Sequence, residues 1–183
     1  LRHALHLSPN DPRLHRKLGN TLMQLGDIPG ARAALEKAVA LAPANDAIQL
    51  NLIALLRAAH DPKAAEHAVA RGLAACPYSA GLHYESGRLA EEAGHFEDAA
   101  QHFDFTWRNQ PDQPATALTL ASARFQAHQN ELGVSVLERR LSERPDYSPA
   151  AAMLVSHGIE TGDARTAKWL ECASASGLPA DAL

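Results

Sequence analysis

Cysteine, methionine and tryptophan are scarce in this sequence, with two of each in 183 residues, and aromatic residues make up only 5%. Cys76 and Cys172 stand 96 positions apart and form no CxxC or Cys/His cluster of metal-binding spacing. A disulfide framework is therefore not expected, and a reducing, cytoplasmic setting is. A periplasmic one stays open should a signal peptide have been removed, since the sequence begins at Leu1. No long apolar run is present, and stretches such as Leu52 to Leu56 are far too short to span a bilayer, so direct membrane insertion is not expected. Surplus positive charge is missing too: 17 Lys and Arg face 21 Asp and Glu, for a net charge of -4. A partner read through its phosphates is not expected, which excludes nucleic acid. The charge is uneven, with 10 basic and 8 acidic residues over 1–91 (+2) against 7 and 13 over 92–183 (-6).

Catalytic patterns are also lacking. Ten histidines are present, but His95 with His102, and His3 with His6, find no third ligand and no HExxH frame. Ser86-Gly87 and Ser176-Gly177 lack the strand-turn-helix elbow that exposes a nucleophilic serine, and no glycine-rich phosphate loop occurs. The expectation is a chain with no catalytic, cofactor-binding or metal residues, and no cofactor.

What the sequence does have is a period. Pro9, Pro43, Pro77, Pro111, Pro145 and Pro179 are each 34 residues apart, six of 11 prolines in one phase. The flanking residues keep the phase, LRHALHLSP at the start matching LEKAVALAP at Leu35 to Pro43. Proline ends helices, because it removes a backbone donor and clashes with the preceding turn, so each period holds whole helices. Leu14, Leu18, Leu22 and Leu25 recur at helical spacing, Gly26-Asp27 interrupts, and Ala31, Ala34, Leu35, Ala38 and Leu41 resume. Asp11-Pro12, Asp61-Pro62 and Ser148-Pro149 read as capping residues followed by a first-turn proline. Phe96, Phe103 and Trp107 form a helical stripe expected in the core. Trp169 is exceptional, because its repeat equivalents are Ala33, His67, Gln101 and Ser135; it is expected to cap the array or to meet a following domain.

A 34-residue helix-turn-helix period with small residues at the helix crossing resembles the tetratricopeptide repeat (TPR) family. The resemblance covers nearly the whole chain: residues 1–11 as the end of a truncated preceding repeat, then repeats at 12–45, 46–79, 80–113, 114–147 and a degenerate 148–181. Gly19 and Gly87 fall at the family's eighth position, and Ala31, Ala65, Ala99 and Ala167 at its twentieth, where helices A and B cross. Ile53, Ala121 and Val155 at the eighth position, and Gly72, Thr106, Arg140 and Ser174 at the twenty-seventh, depart from the pattern. The implied fold class is all-α, a right-handed superhelical α-solenoid of antiparallel helix pairs.

The resemblance further implies a concave groove lined by A helices. Its positions carry Arg13, Arg16, Asn20 and Met23 in the first repeat, Leu50 and Arg57 in the second, Tyr84 and Arg88 in the third, and Leu118 and Phe125 in the fourth. Arginines beside apolar anchors suit a peptide with acidic and apolar side chains. The carboxylate clamp of chaperone-tail-binding TPR domains is not expected, because Gly81 and Glu85 stand at two of its cationic places. The function expected is a non-catalytic scaffold holding a protein or peptide partner in that groove. The alternative is a non-catalytic TPR arm of a larger bacterial enzyme such as a transferase, serving substrate recruitment or oligomerisation. Self-association through the array's ends is a third expectation, since the first residues are the tail of a repeat.

Overall fold

The computed structural model describes residues 6–178, the side chain of Pro114 apart. His3, Pro179 and the residues before His6 lie outside the described residues. Between Pro12 and Ala175 the described residues form ten helices and no strand. They are α1 (Pro12–Gln24), α2 (Ile28–Leu41), α3 (Asp46–Ala58), α4 (Pro62–Ala75), α5 (Ala80–Glu92), α6 (Phe96–Asn109), α7 (Pro114–Gln126), α8 (Asn130–Glu143), α9 (Ser148–Thr161) and α10 (Thr166–Ala175). This is the all-α class of consecutive helix pairs that the period predicts. The chain divides into two compact units, one ending at Leu89 and one beginning at Ala90. In the first, α1 packs on α2, α2 on α3 and α3 on α4; in the second, α6 packs on α7, α7 on α8, α8 on α9 and α9 on α10.

The phased prolines act as helix stops. Helices α2, α4, α6 and α8 each end two residues before Pro43, Pro77, Pro111 and Pro145. The intervening Ala42, Cys76, Gln110 and Arg144 share one backbone geometry, φ between -134° and -143° with ψ of 64° to 81°, as a residue before proline is driven out of the helical region. Inside each hairpin the turn is made by one left-handed residue, and these too repeat every 34: Gly26, His60, Gly94, His128 and Gly162. His60 (φ 55°) and His128 (φ 58°) hold with a side chain the conformation that glycine adopts at less cost.

Capping separates the two units. Asp11, Asp27, Asn45 and Asp61 each accept a backbone N–H at the start of α1 to α4, at 2.8 to 3.2 Å. The Ser79 hydroxyl accepts from Leu82 N at the start of α5. By contrast His95, Gln113, Gln129 and Tyr147 precede α6 to α9 with no side-chain cap. Ser148, expected as a cap, is instead the first residue of α9, and its N–H bonds Asp146 O at 2.9 Å.

The small residues at the crossings are needed sterically. A Cβ added at Gly19 would lie 2.5 Å from Leu35 Cγ, and one at Gly133 would run into the Phe125 ring. Ala31, Ala65 and Ala99 are fully buried at the crossing, but Ala167 is exposed. The last hairpin departs from the period. Helices α2, α4, α6 and α8 begin two residues after their left-handed residue, whereas α10 begins four after Gly162. The extra turn is held by Asp163, which accepts from Arg165 N at 2.8 Å and from its guanidinium. The buried face moves by the same two residues, to Trp169 and Ala173. Trp169 is therefore core, 1% exposed with its Nε1 donating to Glu138 Oε1 at 3.0 Å, which corrects the expectation of an end cap or domain contact. Phe103 and Trp107 are buried as expected, and Phe96 is half-buried.

One compensation runs through the repeats. The carbonyl of a phased proline is bonded by the fourth residue of the next repeat: His15 Nε2 to Pro9 O at 2.7 Å, Gln49 Nε2 to Pro43 O at 3.0 Å, and His83 Nε2 to Pro77 O at 3.0 Å. The fourth repeat has Ala117 there, and Arg140, reaching from α8, donates to Pro111 O at 3.1 Å instead. Arg140 stands at the position where the second repeat has Gly72, which lies against Gln49. A long side chain on helix A faces a small one on helix B, or the reverse, and the proline carbonyl stays paired.

Candidate binding surface

The first unit carries eight of the expected groove residues. On α1, Arg13 lies 3.5 Å from Asp11, while Arg16 takes no carboxylate partner among the described residues. Together with Lys17, Asn20 and Gln24 they line a cavity of about 460 Å³. Asn20 is tied to the next A helix, with Asn51 Nδ2 donating to Asn20 Oδ1 at 2.6 Å. Met23 and Leu50 are half-buried against the core formed by Leu35, Ile48, Leu52 and Leu82. Leu50 also fills the space over Gly81, where an added Cβ would be 2.7 Å from Leu50 Cδ1. Arg57 donates to Glu85 at 3.0 Å, and both side chains are about four-fifths buried. Arg57 thus bridges α3 to α5, and Glu85 is an internal counter-ion. Tyr84 and Arg88 are half-buried on α5.

The other two expected residues belong to the second unit. Leu118 and Phe125 are half-buried and pack on the core of Ala121, Leu137, Leu154 and Trp169. Phe125 also stacks on His157, with ring centroids 4.0 Å apart and planes 9° from parallel. Its ring is spent on internal packing, between Gly133 and His157, more than on an open surface.

The second unit also holds a feature that the groove positions do not single out, because those positions lie on A helices. Asp104, Trp107 and Arg108 of α6, Arg124 of α7, and Leu132, Ser135, Val136 and Arg139 of α8 line a cavity of about 550 Å³. The signal for it in the sequence is the gathering of Arg108, Arg124, Arg139 and Arg140 in a half of the chain with only seven basic residues. Arg124 is 14% exposed, and burial lowers its pKa against the opposing pull of Asp104. Elsewhere in this unit Arg165 holds the Asp163 carboxyl at about 2 through its guanidinium and its backbone N–H. Burial, and then Asp46, raises the Cys76 thiol; both cysteines are free. Among the described residues no group of three or more His, Cys, Asp or Glu could hold a metal ion, and no helix is long and apolar enough to cross a membrane.

Paired helices with small crossings, repeated at 34 residues, meet a direct match in sequence: residues 12–45 fit the family model for the tetratricopeptide repeat. The chain has the fold of a TPR array, and its first repeat matches that family in sequence. Solved TPR structures share its fold at low identity. YrrB, described as a TPR protein with an unusual peptide-binding site, superposes with a TM-score of 0.77 at 13% identity, over 99% of this chain and 94% of that one. MamA from Desulfovibrio magneticus gives 0.73 at 14% identity, covering 90% of this chain and 92% of that one. PilF of Pseudomonas aeruginosa gives 0.69 at 16% identity, with 91% and 76% covered. No curated protein matches the sequence. The array therefore has the fold of protein-interaction scaffolds.

Proposed function

We propose that this TPR array is a non-catalytic scaffold, and that the A-helix face of its first unit holds an extended segment of a partner protein. The observation that carries this is the α1 surface: Arg13, Arg16 and Lys17 beside the amides of Asn20 and Gln24, around a cavity of about 460 Å³. Among the described residues these three cations have one carboxylate neighbour, Asp11, so the surface is electrostatically unsatisfied and open to an acidic segment. The Asn20–Asn51 amide pair carries the face on to α3, where its remaining donors and acceptors suit the backbone of an extended peptide. Apolar purchase comes from the exposed edges of Met23 and Leu50, with Tyr84 further along on α5. Arg57 serves the face indirectly, by fixing α3 to α5 through Glu85, and is not counted among the ligand-binding cations.

The test is site-specific photo-crosslinking from Gln24 in cells, with Arg13→Glu/Arg16→Glu as the disabling pair. The expected result is a crosslinked partner protein that disappears in the charge-reversed variant while the thermal melt of the chain is unchanged. Equal crosslinking by a folded R13E/R16E chain overturns the assignment of the face.

A further inference from the structure

The trough between α6 and α8 has the marks of a second site, independent of the α1 face. Its central element is Asp104, whose one carboxylate is shared by two guanidiniums, Arg108 Nε at 2.7 Å and Arg124 Nη2 at 2.9 Å. Further along α8, Glu143 is shared likewise, by Arg139 Nε at 3.0 Å and Arg140 at 3.7 Å. Three arginines, Arg108, Arg124 and Arg139, thus line the trough with one carboxylate, Asp104, an excess of two positive charges (3 - 1) in a half of the chain whose net charge is -6. The floor is aromatic: Trp107 is 7% exposed, and the Arg139 guanidinium lies 4.8 Å above its ring. The indole Nε1 is buried and has no acceptor among the described residues, although a buried tryptophan N–H ordinarily finds one. Leu132, half exposed, and Val136 add an apolar wall.

A second cavity, of about 220 Å³, adjoins this one across the Asp104–Arg124 pair and brings in Glu97, Gln101 and Gln129. The trough is therefore bipolar, cationic at Arg108 and Arg139 and acidic at Glu97. That polarity disfavours a polyanion such as a nucleic acid or an anionic membrane surface, which would meet Glu97 and Asp104. It suits a peptide whose charge is local. We infer that the α6–α8 trough binds an acidic segment of a protein partner. A glutamate or aspartate of that segment sits between the exposed guanidiniums of Arg108 and Arg139, and the next apolar side chain lies on Leu132 and Val136. Charge-assisted hydrogen bonds from planar guanidiniums supply the recognition.

The probe is a fluorescein-labelled peptide of four glutamates followed by leucine, with the glutamine version as control, titrated by anisotropy against the whole chain carrying R13E/R16E, so that the α1 face is disabled and the peptide reports the trough alone. Saturable binding of the glutamate peptide is expected, weakened about tenfold or more by Arg108→Ala/Arg139→Ala, as the loss of charged hydrogen bonds implies. Both side chains are well exposed, 73% and 63%, so their removal leaves the fold intact, and Arg124 still neutralises Asp104. Arg144→Ala, also exposed but outside the trough, is expected to bind as wild type does. With Trp169→Phe added, the remaining Trp107 emission is expected to shift on binding, which places the peptide at the trough. The inference is overturned by no saturable binding, by equal binding of the glutamine peptide, or by affinity surviving in R108A/R139A. Adhesion to anionic vesicles in place of the peptide overturns it equally.

Discussion

Arg140 stands where TPR repeats carry a small residue, and its environment explains it. Ala117 is too short to reach the Pro111 carbonyl, and Arg140 supplies the missing donor while 4% exposed. Arg140→Ala should then leave that carbonyl bare and cost about 1–3 kcal/mol in urea unfolding. Adding Ala117→Gln, the arrangement by which Gln49 serves Pro43, should recover a large part of the loss. If Ala117→Gln deepens the loss in the Arg140→Ala background, the compensation is wrong. The left-handed histidines are a second residue-scale test. His60→Gly and His128→Gly, at turns where Gly26, Gly94 and Gly162 serve, should each leave stability equal or higher by up to about 1 kcal/mol. A drop in the denaturation midpoint for both would show that the imidazoles do more than occupy the turn.

At the scale of the helices, nine of ten starts keep the 34-residue phase, because that spacing fixes where a hairpin begins and stops. The exception, α10, starts two residues late, and the cause is local: Asp163 and Arg165 close an extra turn with their own side chains. Its trace in the sequence is Glu171, which falls where the earlier repeats bury Leu35, Val69, Phe103 and Leu137, whereas Trp169 and Ala173 offer an apolar pair four apart. The binding residues are less legible. Position alone puts Arg57 in the groove, whereas in the folded chain Glu85 pairs with its guanidinium. The α6–α8 trough needs two B helices side by side, information that no single period contains.

The Asp163 turn also makes the last hairpin acid-sensitive. A carboxyl held at about 2 in the folded chain stabilises it above the ordinary carboxylate value near 4, and that contribution is lost as pH falls from 4 toward 2. Trp169 emission in a Trp107→Phe background should report loosening in that window. Asp163→Asn should lower the melting temperature at pH 7 and flatten the response between pH 4 and 2. An unchanged acid response in the variant would remove Asp163 from the account.

Over the whole molecule, the side-chain ties between neighbouring repeats, such as Arg57–Glu85, Arg124–Asp104 and Arg165–Glu131, span at most 34 residues. Such short-range coupling is the condition under which a repeat protein unfolds in parts. Each compact unit has its own apolar cluster, and both tryptophans lie in the second. Tryptophan fluorescence therefore follows one unit while far-ultraviolet circular dichroism follows all the helices. The two urea midpoints should differ; coincident curves would show that the array melts as one body.

The pairing of Gln49 with Gly72, and of Ala117 with Arg140, also restricts how such an array can be recombined. A chimaera joining α7 to α4 would inherit two short side chains and a hole, and one joining α3 to α8 would inherit two long ones competing for a single acceptor. Helices of this protein are inherited as matched couples, and only an exchange that moves both members together should yield a working hybrid.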